Sequence, residues 1–216
     1  MNTRILTLVA GALLIGCGEK AQEMKNAANL AEQMAAAGGK IQETQNEAET
    51  FYKQRQEKGD TISMPYAELQ KLLPSAPSGY SATEEPGGSS QSMAGFSMSQ
   101  AEQTFTKPAG ADGNAPSIQV TLLDFGGTQS AYSMMALPMM MNLSQEDAHH
   151  RLRTLKMDTP YTWGSEEYNK DTRETKVTAI TRYRYVVTIE ARNQAEDQSA
   201  MLKSLAEDIA RKFEGK

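Results

Sequence analysis

The sequence predicts an α+β fold: an antiparallel sheet covered by helices on one side and preceded by an N-terminal helical stalk. Several segments between residues 101 and 191 alternate apolar and polar side chains, which is the period of half-buried strands. The C-terminal segment carries apolar residues at helical spacing, and residues 19–58 are rich in Ala, Gln, Glu and Lys without proline. Neighbouring strands with helices on one face are typical of α+β layers.

The N-terminus has the organisation of a secretory signal. Arg4 precedes an apolar stretch over residues 5–15, which has the length of a signal-peptide core and is shorter than the roughly 20 residues that span a bilayer. The stretch ends in Leu14-Ile15-Gly16-Cys17, which resembles the lipobox of bacterial lipoprotein precursors. The resemblance implies that residues 1–16 are a cleaved signal peptide. It also implies that Cys17 receives a diacylglyceryl group, becomes the first mature residue and is acylated again, for example with palmitate.

The lipobox resemblance implies a location in the bacterial cell envelope. Cys17 is the only cysteine of the chain, so no disulfide forms within it, and several acyl chains exceed what stable membrane anchoring needs. Gly18 rather than aspartate follows the cysteine, so we expect the outer membrane, with the protein facing the periplasm. The alternatives are a secreted protein that is cut nearby and an uncut N-terminal anchor.

The charge of the chain limits the classes of partner. The net charge is −5, and loss of Arg4 with the signal makes the mature chain more acidic. An acidic surface argues against nucleic acid and against a polybasic contact with anionic lipid. The membrane is therefore expected to be bound through acylated Cys17 alone.

Residues 17–58 are predicted to be a lipid-anchored helical stalk. Gly38-Gly39 interrupts the segment, because each glycine costs about 1 kcal/mol relative to alanine in a helix. The segment is either a partly frayed spacer or a helix that binds a partner or a second copy. Gly59-Asp60 marks a boundary, and residues 59–216 are predicted to be the α+β domain.

Within that domain, residues 65–74 predict a short helix between two prolines, and residues 75–79 and 85–92 predict turns or loops. Strands are predicted near residues 101–106, 118–122, 161–169 and 175–191, the last as a hairpin that turns near Arg182. A helix is predicted from Thr128 toward Pro138.

The final helix is predicted from a capping box of Asn193 and Glu196 and from an apolar stripe. The stripe consists of Leu202, Leu205, Ile209 and Phe213.

Three short motifs also resemble uncharacterised bacterial envelope lipoproteins: Leu72-Leu73-Pro74, Gly79-Tyr80 and Glu167-Tyr168-Asn169. This resemblance implies no known activity.

Methionine is the compositional outlier, with 13 residues in the chain. Thioether sulfur favours Cu(I), and imidazole suits copper and zinc, so a metal site is one interpretation of the local cluster of methionines and histidines. Consecutive residues on a helix diverge by about 100°, which opposes convergence on one ion. The alternatives are an apolar groove for a ligand or partner and plain core packing. The candidate residues are Met134, Met135, Met139, Met140, Met141, His149 and His150.

The sequence contains no cofactor fingerprint, zinc-ligand spacing or catalytic triad. We therefore predict no catalytic residues and no cofactor, with copper as the alternative. The expected function is that of a lipid-anchored, non-enzymatic binding or scaffold module. The alternatives are metal handling through methionine and histidine, an apolar small-ligand site, and an enzyme whose site is assembled from scattered residues.

Overall fold

The computed structural model describes residues 39, 42–93, 96–109, 113–126 and 144–214. Ala37–Lys216 forms one compact unit. The predicted signal peptide, Cys17, the predicted helix from Thr128 and all five clustered methionines lie outside the described residues. No helix in the described part of the chain combines the length and apolarity that a membrane crossing requires.

The described residues contain nine strands in one antiparallel sheet, which confirms the α+β class. The strands are β1 (Ser81–Ala82), β2 (Gly87–Met93), β3 (Phe96–Thr106), β4 (Ser117–Asp124), β5 (Ser144–Glu146), β6 (His150–Leu155), β7 (Thr162–Asn169), β8 (Glu174–Thr181) and β9 (Tyr185–Arg192). Their order is β1-β3-β4-β9-β8-β7-β6-β5, and β2 pairs with β3 beside β1. The helices are α1 (42–57), α2 (Tyr66–Gln70) and α3 (Ser199–Lys212).

Helices cover both faces of the sheet, which corrects the expectation of one-sided cover. Val187 and Ile189 of β9 belong to the core that α2 and α3 complete. Val186, which points to the opposite face, belongs to a second cluster with Ala48 and Phe51 of α1. The reason is that the centre of β9 is apolar at consecutive positions, so both of its faces require burial.

Helix α3 buries the predicted stripe but begins later than predicted. Leu202, Ile209 and Phe213 are fully buried, and Leu205 packs against them. The predicted capping box is wrong, because Asn193 adopts a φ of 56° in the turn after β9. The first turn of α3 is instead fixed by Asp197, which accepts a hydrogen bond from the Ser199 N–H.

The predicted strands near residues 101–106, 118–122, 161–169 and 175–191 are confirmed, with the last forming the β8–β9 hairpin around Arg182. The predicted loop at residues 85–92 is wrong, because most of it forms β2. Because most of its residues are Gly and Ser, the segment shows no alternation of apolar and polar side chains. Its strand conformation is stabilised by pairing with β3. Helix α2 is shorter than predicted, with Pro65 at its N-cap. Strands β5 and β6 were not predicted.

Candidate functional site

A polar groove lies on the sheet face opposite α3, across β6 to β9. It consists of two adjoining concavities with volumes of about 250 Å³ and 270 Å³, and both are lined by His150 and Glu167. We use the name polar groove for the concave surface formed by His150, Glu167, Asn169, Lys176, Glu190 and Arg192.

Strand register brings the charged groups of the polar groove together. Glu167 of β7 lies opposite Leu152 and Lys176, and Lys176 lies opposite Glu190. Along each strand these residues alternate with buried ones such as Val177, so burial of one face places the polar side chains on the other. The sequence shows this alternation, but the alternation indicates only the strands and not which polar side chains meet.

The cations of the polar groove are already paired with carboxylates. Lys176 Nζ lies 3.2 Å from Glu190 Oε1, and Arg192 Nη2 lies 2.9 Å from Glu190 Oε2. Arg192 Nε is 3.8 Å from Glu174 Oε1. Glu167 has no hydrogen-bond or ion-pair partner among the described residues. The groove therefore presents at Glu167 a carboxylate that no side chain in the described part of the chain binds.

The two adjacent histidines do not share a ligand position. Nδ1 of His149 lies 2.8 Å from Asp171 Oδ2, whereas Nε2 of His150 lies 3.4 Å from Asn169 Nδ2. The backbone N–H groups of both histidines donate to Asp147 Oδ1. These two bonds lower the pKa of Asp147, and the bond from His150 has the larger effect. In the described part of the chain, no group of three His, Cys, Asp or Glu side chains is placed to hold a metal ion.

On the opposite face of the sheet from the groove, a buried ion cluster joins β6, β7 and α3. Glu166 is fully buried, and its Oε1 accepts from Arg151 Nε at 2.8 Å. Its Oε2 accepts from Arg153 Nη2 at 2.7 Å. Arg151 Nη2 also donates to Asp197 Oδ2 at 2.6 Å. Because both carboxylate oxygens of Glu166 are held by guanidinium groups, the cluster serves to position the strands.

The pKa of Asp197 reflects its place at the edge of this cluster. Burial raises the pKa, but hydrogen bonds from Ser199 and Arg151 outweigh that effect and lower it below its ordinary value. Asp197 is thus kept ionised beside the first turn of α3, where a negative charge also interacts favourably with the helix dipole.

A second buried ion pair lies where β4 ends and β9 begins. Arg184 Nε donates to Asp124 Oδ1 at 2.6 Å, and Arg184 Nη1 donates to Asp60 Oδ2 at 2.7 Å. Burial lowers the pKa of Arg184, but its hydrogen bonds to Asp124 reverse the effect and raise it. Gly126 has a φ of 54°, and a Cβ there would lie 2.7 Å from the Ser63 nitrogen. Glycine is therefore needed for residues 61–63 to pass close to the end of β4.

Helix α1 meets the sheet through an aromatic cluster beside this ion pair. The Phe51 ring lies 5.0 Å from that of Tyr161 and 5.1 Å from that of Tyr183. Trp163 lies 4.7 Å from Tyr183, and the Tyr183 hydroxyl donates to Glu47. Arg182 and Tyr183 both have a φ of 54°, a conformation that costs about 1–2 kcal/mol per residue. The contacts with α1 compensate for part of that strain.

Comparison with known proteins identifies neither a family nor a function for this chain. No protein-family model matches the sequence, and no curated protein matches it. The chain resembles the crystal structure of the extracellular domain of PknH from Mycobacterium tuberculosis, with 12% identity and a TM-score of 0.45. The match covers 72% of this chain and 100% of that one. This similarity is too distant to indicate a shared family or activity.

Proposed function

We propose that this chain is a lipid-anchored cell-envelope protein whose domain is a non-enzymatic binding module with the polar groove as its binding site. Acylated Cys17 would hold it at the outer membrane, facing the periplasm. The observation that carries the proposal is the groove itself, a concave surface in which Glu167 has no partner among the described residues. Binding of copper or of an apolar ligand at Met134, Met135 and Met139–141 stays a separate prediction.

The charges of the groove favour a positively charged, polar ligand. Lys176 and Arg192, in the first concavity, are within 3.2 Å of Glu190. Arg151, which lines the second, is bound to Glu166 and Asp197. An anionic ligand would therefore have to displace an existing ion pair. A ligand amine beside Glu167 displaces no contact made by the described residues and places a cation opposite a carboxylate. An apolar ligand would bury these charged groups without compensation, which is costly.

The size of the groove favours a segment of a larger partner. Each concavity, at about 250 Å³ and 270 Å³, is slightly smaller than the roughly 300 Å³ at which small-molecule pockets begin. Such a surface accommodates a basic side chain and its flanking polar groups. We therefore infer recognition of a lysine-bearing envelope component at the membrane surface.

The test is titration of the detergent-solubilised full chain with tetralysine by isothermal calorimetry. Glu167→Gln removes the free carboxylate, and Glu57→Gln removes one exposed charge from α1 as a matched control. An exposed ion pair contributes up to about 1 kcal/mol, so we expect Glu167→Gln to weaken binding up to about fivefold and Glu57→Gln to leave it unchanged. Equal affinity of the two variants, or absence of binding by the parent chain, would overturn the assignment of the groove.

A further inference from the structure

Strand β2 forms an edge of the sheet that no other strand in the described ranges covers. One side of β2 pairs with β3, and no strand among the described residues pairs with the other. Six of its seven residues are exposed, and its sequence, GGSSQSM, contains neither charge nor proline. The opposite edge, β5, has three residues and carries Glu146, two features that usually block edge pairing. The β2 edge has neither form of protection.

Exposed apolar side chains flank this edge. Four large hydrophobic residues are exposed within the described chain, and two of them, Tyr66 at 42% and Met93 at 69%, adjoin β2. The Tyr66 ring covers Gly88, where an added Cβ would lie 2.8 Å from Tyr66 Cδ2. Met93 is the last residue of the strand. Apolar groups beside unpaired backbone are typical of an interaction surface.

We propose that β2 pairs antiparallel with β2 of a second copy of this chain, across a two-fold axis centred on Ser90. This register pairs the whole of Gly87–Met93 and joins the two sheets into one. Met93 would lie opposite Gly87 of the second copy, where no side chain competes for the space. Because β2 is uncharged, self-pairing places no like charges opposite each other, and a two-fold axis closes the assembly at two chains.

Cysteine substitution tests the register. Opposed residues of an antiparallel pair have Cα atoms about 4.5–5.5 Å apart, within the range of a disulfide. In the full chain in its native membrane, Ser90→Cys should therefore form a disulfide-linked dimer across the axis. Ser92→Cys is the control, because it changes another exposed serine on the same face of β2. Ser90→Cys also replaces the hydroxyl that accepts from the Tyr66 N–H and bonds to Ser99, so the circular dichroism of both variants is compared with that of the parent chain. In the proposed register, position 92 of one chain and position 92 of the other would lie four residues apart along the paired strands, at about 14 Å.

Charge substitution tests the pairing without a cross-link. In the proposed register, Ser89 of one chain lies opposite Gln91 of the other. The variant S89K/Q91K therefore places lysine opposite lysine twice, whereas S89K/Q91E places lysine opposite glutamate twice. Both positions are exposed, so folding should be unaffected, as the far-ultraviolet circular dichroism of each variant would establish.

Sedimentation equilibrium of the detergent-solubilised full chain gives the decisive result. We expect dimers for the parent chain and for S89K/Q91E, and a dissociation constant at least tenfold higher for S89K/Q91K. A monomeric parent chain would overturn the proposal and leave β2 available to a different partner. A dimer that persists in S89K/Q91K, or equal cross-linking by Ser90→Cys, Ser92→Cys and the parent chain with Cys17 alone, would also overturn it.

Discussion

Arg184 and Asp124 form a two-point ion pair that joins three separate segments of the chain. Arg184 Nε and Nη2 lie 2.6 Å and 2.9 Å from the two oxygens of Asp124. The same carboxylate accepts the Met64 N–H at 2.7 Å and the Gly126 N–H at 2.8 Å. One buried side chain therefore holds the end of β4, the turn before β9 and the segment that leads into α2.

Asp124→Ala is expected to reduce the free energy of unfolding by about 3–5 kcal/mol, because it leaves a buried guanidinium without its counter-ion. It also leaves two backbone N–H groups without an acceptor. Urea unfolding followed by circular dichroism measures the change. The control is a double-mutant cycle with Arg184→Met, in which the double variant should lose less stability than the sum of the single variants. Additive losses would contradict direct coupling of the pair.

The buried phenol of Tyr185 predicts a loss of stability at alkaline pH. Burial raises the pKa of Tyr185 from 10.0 to about 12, and the side chain is 2% exposed. The unfolded chain therefore releases the proton at lower pH than the folded chain. The contribution of the protonated phenol to the free energy of unfolding is fully present below about pH 10. This free energy falls by about 3 kcal/mol as the pH rises to about 12.

Urea unfolding of the parent chain and of Tyr185→Phe from about pH 9 to about pH 12 tests this prediction. The phenylalanine variant keeps the ring that stacks 4.1 Å from Phe213 but lacks the ionisable group. The parent chain should lose stability faster than the variant across this interval. Parallel pH curves would show that ionisation of Tyr185 is not coupled to folding.

Helix α1 is expected to stabilise the sheet without being required for it to fold. Phe51 contributes two aromatic contacts and Ala48 is 3% exposed. Phe51→Ala should therefore reduce the free energy of unfolding by about 2 kcal/mol. Gln45→Ala, at an exposed position of the same helix, should change it little.

The boundary between the predicted stalk and the predicted domain, after residue 58, stays a prediction. Deletion of residues 19–58 tests it. The remaining chain should keep the circular dichroism of a folded sheet and melt at a lower temperature. An unchanged melting temperature would mean that α1 contributes nothing to the stability of the sheet. Loss of the cooperative transition would mean that α1 is part of the core.

Acylation of Cys17 is tested by Cys17→Ser. Without the thiol no diacylglyceryl group can be attached, so the variant should move from the membrane pellet to the soluble fraction and lose incorporation of labelled palmitate. Release should be nearly complete, because the net charge of the chain is negative and does not favour binding to anionic lipid. Retention of the variant in the pellet would refute the anchor.

The sequence predicted the central strands because their burial alternates strictly. Residues 118–124 of β4 alternate buried and half-buried positions without exception, and so do those of β3, so the period was visible. Strand β2 was missed because its residues are almost all small, polar and exposed. Its strand conformation comes from pairing with β3, and a local pattern does not contain that information.

The candidate site was predicted less well than the fold. His150 is a candidate because of its chemistry and lines the groove, whereas nothing in the sequence marks Glu167, Lys176 and Glu190 as parts of one site. They lie on three strands and meet through register, so their spacing in the sequence carries no sign of the contact. Burial of Glu166 between two arginines was hidden for the same reason.

The passage of residues 60–64 past Asp124 and Arg184 gives the molecule a particular response to mechanical load. A pull on the N-terminal side of the chain would first separate α1 from the cluster that Phe51 and Ala48 form with the sheet. The load would then reach Asp60 and Met64, which are hydrogen-bonded to the buried ion pair. Tension would there enter the sheet at the adjoining ends of β4 and β9. Helix α1 can thus detach under load while the sheet and its groove remain intact.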